Sequence, residues 1–370
     1  MEFSFGIEHE VAFLNKKDEF ADFSRTTFDD FDQIIEKLPL YPQDYPQLRI
    51  GDAGIKVKRW YIEGFERFKD FEKPVDCIPK GIEIRTTIHS SIKDTVSELT
   101  KSFRLLTEMA NSFGFTPVLL SFNPFYTVFE PDPPLNVYEV KRRQASPEKQ
   151  TAHIPMLTYG PDLSLSVRGL TTEHVIDAGK KLTYYSPFIV PFSYSSPFYE
   201  GTLWEGLSVR TFVRTGARPA AMVFINEPEK LLKSSPSLTK KARLPAEVGR
   251  IEFKAFDSCG DFSLYGGLLA LLKGLVLDPS LPGRAVVPDA VMHQVSAREG
   301  FENKQIFLGA EEIFRAARIA LDSDPDCEML APIERLLKER RTPAHRLIEI
   351  FNNERSIEKT LRKTYTDFTG

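Results

Sequence analysis

The sequence predicts an α+β protein: a large, mainly antiparallel sheet with one polar concave face and with helices packed on the other. Three observations predict it. Five segments alternate apolar and polar residues at the period of two expected of a half-covered strand. Residues 91 to 113 carry an apolar stripe at helical spacing, and residues 309 to 361 read almost wholly as amphipathic helix.

The first alternating segment, residues 2 to 13, places Phe3, Phe5, Ile7, His9, Val11 and Phe13 on one side and Ser4, Gly6, Glu8, Glu10 and Ala12 on the other. Glu8 and Glu10, one strand repeat apart, would repel by about 2 kcal/mol at an effective dielectric near 20. His9 falls on the apolar side, which marks it as a core residue. The other segments follow the same rule. Ile82, Ile84 and Ile88 oppose Glu83, Arg85 and Thr87, while Leu163, Leu165 and Val167 oppose Asp162, Ser164, Ser166 and Arg168. Leu207 and Val209 oppose Ser208 and Arg210, and Ile251, Phe253 and Ala255 oppose Arg250, Glu252 and Lys254.

Paired in one sheet, these strands would gather Glu8, Glu10, Glu83, Glu252, Arg85, Arg168, Arg210 and Lys254 on one concave surface. Converging carboxylates destabilise one another, and a hard divalent cation with oxygen ligands relieves them. Phosphate would then be held by the metal and the arginines. The alternative is an ordinary half-exposed sheet whose charges face water.

Between the strands, Phe28–Leu38 has helical spacing with Asp29 and Asp30 in its first turn. The stretch from Pro39 to Pro79 is aromatic and irregular. Its Ile50–Gly54 glycine pair lacks the spacing of a phosphate-binding loop. The helix over Ser91–Phe113 starts at a Ser91–Asp94 cap and ends at Gly114. Thr116–Phe122 reads as a buried strand, Asn123–Gln150 as a long loop, and Thr172–Tyr185 as a helix stopped by Ser186-Pro187. Ser195–Gly201 has the composition of a turn. Asn226–Pro245 reads as a solvated loop, with a lid over a nucleotide as the alternative. Leu264–Val276 reads as a buried helix. Four helices follow, over Ala310–Leu321, Met329–Glu339, Thr342–Asn353 and Ser356–Tyr365.

A formal charge of −4, with no basic stripe among stacking aromatics, gives no electrostatic case for nucleic acid. No apolar run reaches membrane-spanning length, the longest, Gly266–Leu277, being broken by Lys273. The chain opens directly on a strand, without the pattern of a secretory signal, so a cytoplasmic location is expected. Cys77, Cys259 and Cys327 are odd in number and far apart, which argues against a disulfide framework. Small-molecule substrates are therefore the expected partners, with a homodimer compatible.

Five motifs in order, Gly6-Ile7-Glu8-His9-Glu10, Glu83-Ile84-Arg85-Thr86, Ser196-Pro197-Phe198-Tyr199-Glu200-Gly201, Ser208-Val209-Arg210 and Glu252-Phe253-Lys254-Ala255-Phe256-Asp257, resemble the glutamate-cysteine ligase type 2 and carboxylate-amine ligase family. That family has a glutamine-synthetase-like fold. The resemblance spans roughly residues 3 to 365 and implies one catalytic domain over 1–370, with 309–365 as its C-terminal helical part. It implies use of ATP and Mg²⁺ to activate a carboxylate, usually of glutamate, as an acyl-phosphate, which an amine, by default cysteine, displaces to give the γ-glutamyl amide of glutathione precursor synthesis.

By resemblance, Glu8, Glu10, Glu83 and Glu252 hold the metal, and Arg210 binds the substrate carboxylate or phosphate. Glu83, Arg210 and Lys254 are then the catalytic set, with Arg85, Arg168, Arg210 and Lys254 on the nucleotide. Two departures stand out. Lys254 lies where relatives commonly carry Arg, keeping the charge without the bidentate fork. Ser164 and Ser166 lie where relatives often carry His-x-His or Gln-x-Asn, and serine is a poor metal ligand. A non-catalytic scaffold on the same fold, and a phosphotransferase acting on a guanidino or carboxylate group, are the alternatives.

Overall fold

In the computed structural model, residues 2–44, 58–70 and 73–365 are described; the rejected Ile50–Gly54 segment lies outside them. Ten strands occur among these residues: β1 (Phe3–Leu14), β2 (Trp60–Arg67), β3 (Asp76–Arg85), β4 (Thr116–Val118), β5 (Asp162–Val167), β6 (Phe198–Tyr199), β7 (Thr202–Leu203), β8 (Ala221–Ile225), β9 (Thr239–Lys241) and β10 (Ile251–Phe253). The main sheet runs β2-β3-β1-β5-β10-β8-β9, with β4 added to the far end of β1. Every pairing is antiparallel except β8 with β9. The expected α+β class, with helices on one side of a mainly antiparallel sheet, is what forms.

Alternation in β1 survives intact from Phe3 to Glu10, odd positions buried and even ones half-exposed. The apolar side of the sheet rests on the Phe28–Lys37 helix, which covers β2 and β3, and on three longer helices, α1 (Ile92–Ser112), α2 (Thr172–Ile189) and α3 (Phe262–Leu277). Almost all of α3 is buried, including Gly266 and Gly267, because sheet and α1 lie on one side and the C-terminal helices on the other. Ser91 caps α1, its side chain accepting from the Asp94 N–H as its spacing implied.

His9 is fully buried beneath the sheet, its ring nitrogens 2.9 Å from the Tyr265 hydroxyl and 3.2 Å from that of Tyr365. Burial holds its pKa down at about 3, so it is a neutral core residue, as its apolar-side position required.

Local physics overrides the sequence reading at several points. Proline does not stop α2, which continues through Pro187 to Ile189. Pro187 has no N–H for the Thr183 carbonyl, but the Ser186 hydroxyl donates to that oxygen at 2.8 Å and satisfies it instead. Leu207–Arg210 is not a strand: Ser208 caps a short helix, Val209–Arg214, by accepting from the Thr211 N–H. Four residues of alternation fit a helix start equally well.

Only Thr116–Val118 of the 116–122 stretch pairs as strand, against Ala12–Leu14. Ile88 lies beyond the end of β3 and is 46% exposed, so it does not share the face of Ile82 and Ile84. The loop after Asn123 contains two short helices, Val137–Arg143 and Pro147–Gln150. The 226–245 segment is tied to the sheet by β9. The Ser195–Gly201 turn closes the β6–β7 hairpin, with Glu200 and Gly201 both at positive φ, the geometry a two-residue hairpin loop requires.

Candidate active site

Register decides what meets on the polar face. Glu10 on β1 lies opposite Glu83 on β3, which in turn lies opposite Tyr61 on β2. One step along, Glu8 lies between Arg85 and Asp162; one further, Ser164 lies between Gly6 and Glu252. Glu8, Glu10, Glu83 and Glu252 therefore share one side of one sheet, but not one spot. Glu252 is level with Gly6, four residues from Glu10, a distance of roughly 13 Å along the strand.

The third carboxylate beside Glu10 and Glu83 comes from Glu63 of β2, opposite Gly81 and one side-chain repeat beyond Tyr61. Oxygen atoms of Glu10, Glu63 and Glu83 all lie within 4.8 Å of one another. Glu83 is only 5% exposed, and its Oε1 has no hydrogen-bond partner. Burial, followed by repulsion from Glu8, Glu63 and Glu10, pushes its pKa well above the usual carboxylate range. Burial likewise raises Glu63 to about 8, against the opposing pull of Lys80.

Lys80 is the ammonium built into this cluster. Its Nζ sits 2.9 Å from Glu10 Oε1 and donates to the carbonyls of Pro155 and Thr158 at 2.7 and 2.6 Å. The other Glu10 oxygen accepts from the Gly160 N–H at 2.8 Å. A trio of carboxylates facing one ammonium, with one buried oxygen unpartnered, fits a divalent cation in charge and donor type.

At the Glu252 level the charges are already matched. The Lys254 ammonium bridges Asp162 and Glu252, 2.5 Å from Glu252 Oε1, and the Arg250 guanidinium lies 3.0 Å from Glu252 Oε2. Although burial alone would raise it, these two cations hold Glu252 down to about 2. Asp162 is raised to about 6, burial outweighing Lys254. Around this ion network opens a cavity of about 280 Å³, floored by Ser4, Gly6, Ser164 and Ser166 and walled by five cations, Arg85, Lys240, Arg243, Arg250 and Lys254, against three carboxylates, Glu8, Glu247 and Glu252. Its basic lining suits a polyanion such as a triphosphate. On the far side of the carboxylate trio a second cavity, of about 290 Å³, balances Arg143, Lys149 and Arg218 against Glu63, Glu66 and Glu148.

Arg210, expected on a strand, reaches the site from the first turn of the Val209–Arg214 helix. It is 3% exposed, its Nη2 donates to the Lys254 carbonyl at 3.1 Å, and its Nε and Nη1 lack hydrogen-bond partners. Asp257, fixed by the Ser195 N–H and the Ser196 and Ser208 hydroxyls, stands 4.0 Å from Nη1. Arg214 donates to the same Lys254 carbonyl at 2.9 Å. Burial, then repulsion from Arg210 and Arg218, lowers its pKa. The guanidinium of Arg210 packs onto Gly160, where an added Cβ would stand 2.2 Å from Nη2. Only glycine permits that approach.

Arg168 does not join the site. It follows the last residue of β5, beyond the pairing of Val167 with Phe3, and its side chain is 82% exposed beside Glu2. Arg85 does line the first cavity, its guanidinium 5.0 Å from the Tyr61 ring centre. Cys259 is buried, its thiol pushed up by burial and by Asp257, and all three cysteines are free.

Contributors that the sequence reading does not name as site residues include Glu63, Lys80, Asp162, Arg214, Lys240 and Arg243. Asp162 lies on the polar side of its strand but carries no role in that reading. Glu63 alternates with Trp60 and Ile62 in phase with Tyr61, a signal cut short by the irregularity between Glu63 and Gly64.

The sequence matches no family model and no curated protein. Solved structures do match. A bifunctional glutathione synthetase from Pasteurella multocida superposes with a TM-score of 0.61 at 12% identity, covering 99% of this chain and 52% of that one. The chain thus spans about half the length of that protein. The glutamate–cysteine ligase of Francisella tularensis in complex with AMP gives 0.60 at 11% identity, covering 100% and 89%. The ligase PafA, solved in complex with the ubiquitin-like protein Pup, gives 0.51 at 13%, covering 99% and 69%. The fold of this chain is the glutamine-synthetase-like fold of these carboxylate-amine ligases.

Proposed function

We propose that this chain is an ATP- and Mg²⁺-dependent ligase that joins a carboxylate, glutamate by default, to an amine, by default cysteine, through an acyl-phosphate. The carrying observation is the trio Glu10, Glu63 and Glu83, of which Glu83 is buried with an orphaned oxygen, set between a basic cavity and a charge-balanced one. A divalent cation held there by the trio, with Glu8 beside it, would neutralise charge on a transferring phosphoryl group.

The chain's own residues supply the rest. Arg85, Lys240, Arg243 and Arg250 offer cationic contacts to the nucleotide's phosphates in the basic cavity. Arg210, with two buried donor atoms unpaired, holds the substrate carboxylate or the departing phosphate. In the first step the substrate carboxylate oxygen bonds to the γ-phosphorus as ADP leaves. In the second the amine nitrogen bonds to the acyl carbon, phosphate leaves and the nitrogen loses a proton. Positioning and charge neutralisation perform both steps without a protein nucleophile. One continuous apolar core joins sheet and C-terminal helices, supporting residues 1–370 as a single catalytic domain with 309–365 as part of it.

ADP release on adding amino acids singly and in pairs tests the reading. A ligase needs both a carboxylate and an amine substrate, a phosphotransferase needs one acceptor, and a scaffold releases none. Sustained ADP release with a single acceptor, or none with any pair, would refute the proposal.

A further inference from the structure

We infer that this site takes one divalent cation from solution, at Glu10, Glu63 and Glu83, and that the Lys254 ammonium permanently fills the place a second ion would occupy between Asp162 and Glu252. The inference rests on the ligase reading for its chemistry but not for its geometry. Resemblance alone would make Glu252 a metal ligand; the structure disagrees on three counts.

Both Glu252 oxygens are engaged by cations of the chain itself, Oε1 by Lys254 and Oε2 by Arg250. The residues paired with one another beside it, Ser164 and Gly6, offer a hydroxyl and no side chain, whereas a hard divalent ion wants carboxylates and carbonyls. The charge is also largely offset. Lys254 and Arg250 face Asp162 and Glu252, and Arg85 lies opposite Glu8, which leaves Glu247, 3.7 Å from Arg250, as the one acidic group beyond these pairs, so an added ion would meet less negative charge than at the trio. At the trio, three carboxylates face the single ammonium of Lys80, which leaves the charge one divalent ion carries.

Lys254 is also anchored. Its N–H donates to the Ala220 carbonyl at 2.8 Å, and its own carbonyl accepts from Arg210 and Arg214, so its backbone is fixed on both sides. An ammonium fixed in this way, unlike a bound ion, cannot be chelated. Its charge stays on that end of the nucleotide cavity at any Mg²⁺ concentration.

Mn²⁺ titration of the full chain without nucleotide, followed by the electron paramagnetic resonance of free Mn²⁺, tests this. The wild type should bind one ion per chain. Glu83→Gln should weaken that binding by more than the roughly tenfold that losing even an outer-shell partner costs. Glu252→Gln should leave the count and affinity unchanged. Lys254→Met, which strips Asp162 and Glu252 of their ammonium, should gain a second ion. Two ions on the wild type, loss of an ion in Glu252→Gln, or a folded Lys254→Met that still binds one, would overturn the inference. If Lys254→Met does not fold, the wild-type count and Glu252→Gln decide it. ADP release on the same preparations separates the two proposals, because absence of turnover would sink the ligase reading without altering the ion count.

Discussion

Glu63→Gln is the perturbation whose consequence can be worked furthest. In the folded chain Glu63 keeps its proton up to about pH 8, against an ordinary value of 4.5, chiefly because of burial and then the neighbouring carboxylates. The folded-state value is the raised one. Its contribution to stability is therefore complete below about pH 4.5 and is lost as pH rises through about 8. Across that window the folded state holds a proton the unfolded chain has released, and each pH unit costs ~1.4 kcal/mol. The whole window amounts to roughly 4–5 kcal/mol, an upper figure because Glu63 and Glu83 titrate as a pair.

Urea unfolding of metal-free protein at pH 5, 6, 7 and 8 reads this directly. The wild type should lose stability more steeply than Glu63→Gln, by up to ~1.4 kcal/mol per pH unit, and saturating Mg²⁺ should flatten the wild-type profile. Parallel profiles for the two proteins would refute the claim that these carboxylates crowd one another.

Other substitutions probe separate parts of the argument. Gly160→Ala pushes a methyl to 2.2 Å from the Arg210 guanidinium and should cost ~1–3 kcal/mol in urea unfolding while lowering ADP release. Arg210→Lys keeps the charge but gives up the fork, and should cut kcat/KM for ADP release by roughly ten- to a hundredfold, the worth of one charge-assisted hydrogen bond. His9→Phe removes the imidazole that the Tyr265 and Tyr365 hydroxyls share, though Tyr265 still accepts from the Cys259 N–H, and should lower stability by ~1–3 kcal/mol in the same unfolding assay. Arg168→Ala, outside the lining of both site cavities and paired with an exposed Glu2, should shift stability by under ~0.5 kcal/mol and leave ADP release unchanged.

What the sequence made legible was parity. Period-two alternation assigned Glu8, Glu10, Glu83, Glu252 and Arg85 to the correct side of the sheet, because facing side chains must share the solvent or the core. Parity carries no coordinate along the strand. Arg168 has the right phase in its segment yet emerges past the end of β5, and Glu252 has the right face yet lies at another level from Glu83. Register, set by pairing with distant segments, supplies that coordinate. Glu63 and Lys80 were hidden for related reasons: one sits at an irregularity in β2, and the other is recruited by carbonyls of residues 155 and 158. Arg210 reached the site although its local structure was misread, since its cap and helix aim it where a strand would not.

The central strand is made before every segment that completes it. β1 must wait for β3, β4 and β5, and the ring of His9 on its underside is closed by a hydroxyl 356 positions further along. Until those partners are synthesised, a ribbon of Phe3, Phe5, Ile7, Val11 and Phe13 has no cover, and such uncovered apolar strands invite intermolecular pairing. Topology thus delays consolidation of the nascent polypeptide, and shortened chains ending before Tyr365 should depend heavily on chaperones.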